Sequence, residues 1–366
     1  MHSKPRFRTL VPVKGMNAGI VVLLCQLAYQ ACRCEILADS RDCPGRLNRL
    51  LFTVPLCLLI VACGRATPAQ KTPAPVGQTQ PPAPVTQTQP LAPGDSTRSL
   101  VFAGIERTYV LHIPTGYDAA RPTPLVLAFH GVGLNAEEMI RISGLSKQSD
   151  TSGFIVVYPN GTGESKSWNG GHCCGEAAKN NVDDVGFTRA LIDHLAASIN
   201  IDLRRVHATG FSNGAIMVYR LACELSDRIA AFGPVSATQI LDDQSVCRPA
   251  RSVPIIHFHG TADRLNPYEG ATTSAGFKFV SVKDAIGFWA QKNACPAPLP
   301  RKESGTIQHD VYAPCAQNSA VELYSIVGGE HAWPGGEAVD PRIGKPTMEI
   351  SASPLMWEFF AAHPMP

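Results

Sequence analysis

Charge is scarce in this sequence and evenly divided. Charged residues make up 17% of its 366 positions, and the formal net charge is only +2. No Lys/Arg-rich run occurs and no patch interleaves basic with aromatic residues, so the electrostatic footprint of a nucleic-acid binder or a polybasic membrane clamp is missing. Long hydrophobic runs are also wanting near the start. The apolar patch from Ala18 to Leu24 falls short of the ~20 residues that a helix needs to cross a bilayer. Metal-ligand spacing is incomplete as well. His257 and His259 alternate on an apolar run as two zinc ligands could, but a third is missing, so they read as satisfied core histidines and no metal site is expected.

Hydrophobic residues form 45% of the chain, an ordinary globular balance. The length suits two average domains, or one large α/β domain with an appendage. Cysteines fall into two groups. Cys25, Cys32, Cys34, Cys43, Cys57 and Cys63 precede residue 64, and Cys173, Cys174, Cys223, Cys247, Cys295 and Cys315 lie in the globular part. An even number in a chain with export signals points to disulfides, with 15 pairings open to six cysteines. Cys295 and Cys315 flank a polar segment that reads as a loop, and they are expected to pair.

Residues 1–45 read as a non-structural N-terminal extension. Arg46 and Arg49 then form a positive region before the apolar Leu50–Val61, and Ile60-Val61-Ala62-Cys63-Gly64 follows, so 46–63 reads as a secretory signal. Its end resembles a bacterial lipobox, in which small residues precede a cysteine that becomes lipidated, and Cys63 is the expected anchor. Several acyl chains on one cysteine give stable membrane attachment where a single chain does not. A signal that begins 45 residues into the chain implies a reading frame started too early, an expectation that N-terminal sequencing of the exported product checks. Residues 64–97 are rich in Pro, Thr, Gln and Ala and contain an echo, Ala74–Pro81 against Ala83–Pro90. Such a segment has no core to bury and reads as a semi-rigid tether.

The domain is expected at 98–366, where strand and helix patterns alternate. Strands are expected at Ser99–Ala103 and Thr108–Ile113 as an antiparallel pair, then at Pro124–His130, Phe154–Tyr158, Val206–Phe211, Ala230–Val235, Val253–His259 and Val321–Val327. Helices are expected at Ala136–Gln148, from a cap at Asp183 to about Ile199, after Gly214, at Val282–Lys292 and at Ser351–Ala362. This alternation predicts an α/β fold with a mostly parallel central sheet flanked by helices. No internal repeat appears in the domain.

Gly210-Phe211-Ser212-Asn213-Gly214 joins an apolar strand to a helix. A G-x-S-x-G turn in that setting is the nucleophile elbow of an α/β-hydrolase, with glycines two residues either side of the serine because the turn leaves no room for side chains. The triad then follows in the chain order Ser, acid, His. Asp263 lies just past the strand Val253–His259, where catalytic groups of open α/β sheets gather, whereas Asp242 and Asp243 sit in a polar loop. His331 follows the strand Val321–Val327 between paired glycines, and it is preferred to His309 and His363 as the base. The oxyanion donors are expected to be the backbone N–H of Asn213, at a helix N-terminus, and that of Val132, in the loop His130-Gly131-Val132-Gly133. His130, Trp168 and Trp333 are the candidate substrate contacts, packing being the alternative for the tryptophans. Asp183 and Asp184 read as a helix start rather than a cation site.

With these residues in place the chain resembles the polyhydroxybutyrate depolymerase and feruloyl esterase family, the carbohydrate esterase family 1-like group of exported α/β-hydrolases. The matching segments are Leu125–Gly133, Trp168–Gly175, Val182–Phe187, Gly210–Ala215, His259–Asp263 and Gly329–Pro334. The resemblance implies an esterase with Ser212 as nucleophile, Asp263 as acid and His331 as base, acting on ester substrates without metal or organic cofactor. The cysteine pattern departs from the family's disulfides, and no separate substrate-binding domain of the polymer-degrading members is present. The rival readings are a serine peptidase of the same fold and a non-catalytic surface protein. The second predicts a broken triad, whereas all three positions are filled.

Overall fold

The computed structural model describes residues 91–171, 173–239, 246–272 and 278–366. The expected extension, the signal segment, Cys63 and residues 64–90 of the tether lie outside the described residues. The strands are β1 (Gly94–Phe102), β2 (Ile105–Ile113), β3 (Thr123–Phe129), β4 (Ile155–Pro159), β5 (Ile201–Phe211), β6 (Ala231–Val235), β7 (Ile255–Gly260), β8 (Ala271–Thr272), β9 (Lys278–Phe279), β10 (Lys302–Ser304), β11 (Ile307–Tyr312) and β12 (Val321–Ile326). Ten of them form one sheet in the order β1-β2-β4-β3-β5-β6-β7-β12-β11-β10, while β8 and β9 pair separately. From β4 to β12 every neighbouring pair is parallel, and antiparallel strands close both edges.

Every residue of β3, β4, β6 and β7 is buried, which is why these segments are mainly apolar, His257 and His259 of β7 being the main exceptions. The helices are α1 (Ala136–Ser143), α2 (Leu145–Ser152), α3 (Gly175–Lys179), α4 (Asp184–Ala196), α5 (Asn213–Glu224), α6 (Val282–Lys292) and α7 (Ala352–Ala362). They cover both faces of the sheet. Leu125, Leu127 and Phe129 of β3 join the core built with α4, α5 and α6. Val126 and Ala128 point the other way, into the core built with α1, α2 and α7. The period of two along a strand thus feeds two separate cores.

Three expectations need correction. β1 begins at Gly94, opposite Ile113, so residues 94–97 are strand and not tether. The Pro-rich composition ends at Pro93, and Asp95 reaches His112 Nδ1 at 2.6 Å. The single helix expected over 136–148 is two. Gly144 has φ 61° and gives its N–H to Ile140 O, ending α1 in the left-handed turn that glycine allows. The polar segment between Cys295 and Cys315 contains the edge hairpin β10–β11, whose polar side chains hide its period, Ile307 being its buried member. Cys295 and Cys315 are bridged as expected, and Cys223–Cys247 and the adjacent Cys173–Cys174 are bridged too. Closing loops of some twenty residues stabilises a fold by about 3 kcal/mol each in the chain-entropy account.

His207 on β5 is fully buried and stacks on Phe360 of α7, ring centroids 4.6 Å apart. Neither ring nitrogen has a hydrogen-bond partner among the described residues. Burial pushes its pKa from 6.5 down to about 3. Below pH 6.5 the unfolded chain takes up a proton that the folded one refuses, so this contribution to stability is present above about pH 6.5 and is lost as pH falls toward 3. Thermal melts should therefore fall between pH 7 and 4. His207→Phe, which keeps the stacked ring, should flatten that dependence measurably relative to wild type; parallel slopes for the two proteins would contradict the assignment.

Candidate active site

The chain leaves β3 toward β4 on one side, and β5 lies on the other. The carboxyl ends of β3 and β5 therefore border a topological switch point, where open α/β sheets form their clefts. Ser212 sits there, directly after β5, at φ 57° and ψ −122°. A non-glycine residue held in this region costs about 1–3 kcal/mol and persists only where its surroundings dictate it. A Cβ on Gly210 would lie 2.5 Å from the Gly214 backbone, and one on Gly214 would collide with the Phe129 carbonyl at the end of β3. The Ser212 N–H is fixed on Val235 O of β6 at 3.0 Å, and α5 begins at the next residue.

Asp263 and His331 come together from loops after β7 and β12. His331 Nδ1 lies 2.8 Å from Asp263 Oδ2, and both residues are only 4% exposed. Asp263 Oδ1 accepts the N–H groups of Leu265 at 2.9 Å and Asn266 at 2.8 Å. Burial pushes this carboxyl up, but the hydrogen bonds it accepts from His259 and His331 outweigh that and hold the pKa below the ordinary carboxylate range. An ionised carboxylate only accepts, so the His331 proton resides on Nδ1 and Nε2 is left as an acceptor. The two loops also touch backbone to backbone. Ala262 N–H bonds Gly329 O at 2.8 Å, and a Cβ on Gly260 would strike Gly329. Ser236, at φ 56° after β6, donates its buried hydroxyl to Ala332 O at 2.9 Å and so fastens the residue next to His331.

Ser212 and His331 line one cavity of about 50 Å³, together with Gly131, Val132, Phe211 and Arg342. His331 also leans on Phe211, ring centroids 4.7 Å apart. No hydrogen bond joins Ser212 to His331 among the described residues; the closed link is that between acid and base. Gly133 N–H is engaged by Ser165 O and Leu134 N–H by Gly131 O, while the N–H groups of Val132 and Asn213 have no protein acceptor among the described residues. A larger open depression of about 900 Å³, beside β8, β9 and α6, contains none of these groups.

Residues 107–256 match the sequence profile of the family described as Esterase PHB depolymerase. A protein of Nocardia uniformis subsp. tsuyamanensis named "Putative esterase NocK" is 31% identical over 262 residues, which cover 65% of this chain and 74% of that protein. The chain belongs to the esterase PHB depolymerase family. "Feruloyl esterase B" of Piromyces equi is 31% identical over 235 residues, and the match spans 62% of this chain but only 42% of that relative's length. Among solved structures, the acetyl xylan esterase from Aspergillus awamori superposes with a TM-score of 0.54 at 14% identity, over 73% of this chain and 99% of that one. That likeness is one of fold, the α/β-hydrolase.

Within this member of the esterase PHB depolymerase family, the three expected substrate contacts are structural. Trp168 is fully buried, edge-on to Phe129 at 5.0 Å, and its Nε1 donates to His130 O at 2.9 Å. Trp333 is 1% exposed and donates to Ser353 Oγ at 3.2 Å. His130 is fully buried; its Nε2 accepts Gly161 N–H at 3.0 Å and its Nδ1–H bonds Gly131 O at 2.7 Å. Burial lowers its pKa to about 4, so it stays neutral and braces the loop that carries Val132. His257 and His259 are core histidines as expected, and Asp183 caps α4 by accepting Gly186 N–H at 2.8 Å.

Two supports were not read from sequence. Asn213 clamps Trp168 with its side chain, Oδ1 accepting Trp168 N–H at 2.8 Å and Nδ2 donating to Trp168 O at 3.1 Å. The adjoining Asn169 gives its N–H to Asp184 Oδ2 at 2.8 Å, and Asp184 pairs with Arg107 at 2.8 Å in full burial. The Arg107 guanidinium lies over the Phe187 ring, 3.9 Å from its centroid. Burial pushes the Asp184 carboxyl up against the pull of Arg107. Only the shared W-N and D-D segments hinted at this coupling.

Asn213→Ala should destabilise the protein by roughly 2–3 kcal/mol, since two buried backbone groups lose their partners. Gly214→Ala should do more, yielding little folded protein, because the new methyl meets a carbonyl rather than a flexible side chain. Denaturant melts of the two variants against wild type check the order.

Proposed function

We propose that the protein is a serine esterase that hydrolyses carboxylic esters through an acyl-enzyme. The observation that carries this reading is the buried Asp263–His331 hydrogen bond, set on the same small cavity as the strained Ser212. Ser212 Oγ attacks the ester carbonyl while His331 Nε2 accepts its proton. Asp263 holds the imidazole in the required tautomer and stabilises its cation without taking the proton. The oxyanion is received by the N–H groups of Val132 and Asn213, the latter at the positive end of α5. His331 returns the proton to the departing alcohol, and water repeats the sequence on the acyl group. Catalytic hydrogen bonds in free enzymes are often open and tighten when substrate binds, which accommodates the unclosed Ser212–His331 pair.

A cavity of about 50 Å³ holds a reacting carbonyl and little more, so the bulk of acyl and alcohol groups lies outside it. The proposed substrates are hydroxycinnamoyl or acetyl esters of plant polysaccharide and short 3-hydroxyalkanoate esters, in line with the names of the relatives. Residues 46–63 would direct export, lipidated Cys63 would anchor the chain, and residues 64–93 would tether the catalytic domain at the membrane surface. Disulfides belong to such an oxidising compartment.

Ser212→Ala should lower kcat on p-nitrophenyl acetate and on the preferred member of a feruloyl, acetyl-xylan and 3-hydroxybutyrate oligomer panel by at least about 10³-fold, with melting unchanged. Retained activity would remove Ser212 from the mechanism. p-Nitroanilide substrates should not be turned over; faster hydrolysis of them than of esters would favour a peptidase. In cells grown with an alkyne fatty acid, the label should reach the wild-type protein and be absent from Cys63→Ser.

A further inference from the structure

Behind Asp263 runs a buried hydrogen-bonded chain that the reaction scheme does not use. Tyr219 of α5 places its hydroxyl 2.9 Å from His257 Nδ1. His257 Nε2 lies 3.0 Å from His259 Nδ1, the two rings stacked along β7. His259 Nε2 lies 2.8 Å from Asn266 O and 3.4 Å from Asp263 Oδ2. Both histidines are essentially unexposed. A carbonyl can only accept, so His259 carries its proton on Nε2, and its Nδ1 must then accept from His257. His257 in turn has its proton on Nε2 and accepts the Tyr219 hydroxyl at Nδ1. One direction of donation satisfies all four links.

We propose that Tyr219, His257 and His259 are positioning residues: the chain locks His259 with its N–H on the acid loop Asp263–Asn266, and this hold aims Asp263 Oδ2 at His331. The proposal rests on the serine-esterase reading. Three geometric facts support it. The His259 proton bridges both ends of the acid loop, Asp263 and Asn266. The same loop folds back so that Oδ1 takes two of its own N–H groups, leaving Oδ2 for the two histidines. Tyr268 closes the side of His259 edge-on at 5.8 Å, its hydroxyl tied to Ser325 of β12 at 2.6 Å. The titratable groups around His259 are thus Tyr219, His257, Asp263, Tyr268 and, across the carboxylate, His331. Burial keeps the His257 pKa well below the usual histidine value, so His257 stays neutral, and the Asn266 carbonyl sets the direction of donation.

The test compares His259→Leu, which removes the proton and the chain, with His259→Gln, whose amide nitrogen can replace Nε2 toward Asn266 and Asp263. His259→Leu should lower kcat by about 10- to 100-fold, the loss expected for a hydrogen bond to a charged group, with KM unchanged and the acid limb of the pH–kcat/KM profile displaced. His259→Gln should recover most of that loss. In the wild-type full chain, nitrogen-15 spectra of labelled histidines should show His257 and His259 as neutral Nε2–H tautomers. Tyr219→Phe, which removes one hydroxyl from a well-packed ring, should release the His257 tautomer and lower kcat several-fold; it decides the matter if His259→Leu does not fold. Wild-type kcat and pH profile in His259→Leu, equal impairment of the Leu and Gln variants, an Nδ1–H tautomer of His259, or an unaltered Tyr219→Phe would each overturn the proposal. Loss of activity in Ser212→Ala alongside any of these would leave the triad intact and the chain refuted, whereas an active Ser212→Ala would refute the triad itself.

Discussion

The backbone of Gly214 rests against the carbonyl of Phe129, and that of Gly260 against Gly329, with no room for a side chain at either contact. The first brings the start of α5 against the end of β3, so Ser212 and the loop that carries Val132 border one cavity. The second locks the acid loop to the base loop before any side chain is considered. The hydrogen bond between Asp263 and His331 is therefore made by two loops already fixed in register, and little conformational freedom is lost when it forms. Side-chain chemistry at this site is an addition to a frame set by backbone packing.

The frame is braced from behind by buried polar groups with complete hydrogen bonding. His130 holds Gly161 to the loop that carries Val132, Asn213 holds Trp168, and Ser236 holds Ala332. Each brace joins residues far apart in the chain and lies where burial makes an unpaired group costly. These residues share a trait: a polar or aromatic side chain beside a candidate catalytic residue, used to hold that residue's neighbour rather than to meet substrate.

That trait explains what sequence could and could not tell. The parallel strands were legible because burial on both faces leaves near-continuous apolar runs, as in β3 and β4, and α6 was legible to the residue at both ends because Ser281 caps it and apolar positions recur at helical spacing. The places of Ser212 past β5, Asp263 past β7 and His331 past β12 were legible because each closely follows a strand that the sequence pattern marks. Trp168, Trp333 and His130 misled, since an aromatic ring beside a catalytic loop has the same signature whether it faces a ligand or the core. Burial decides between them, and burial is a property of the folded chain. The β10–β11 hairpin was missed for the converse reason: an edge strand exposed to water needs no apolar alternation.

The Arg107–Asp184 pair has a consequence for the order in which the domain can be dismantled. Arg107 belongs to the outer hairpin, at the rim of the sheet, yet through Asp184 it anchors the main chain of Asn169, next to the tryptophan that Asn213 grips. Stripping one partner from a buried ion pair costs far more than an exposed one, about 3–5 kcal/mol. A protease that trimmed the front of the domain past position 107 would thus leave the Asp184 carboxyl buried without its arginine. A hairpin at the rim of the sheet is, in this sense, part of the floor beneath the neighbours of Ser212.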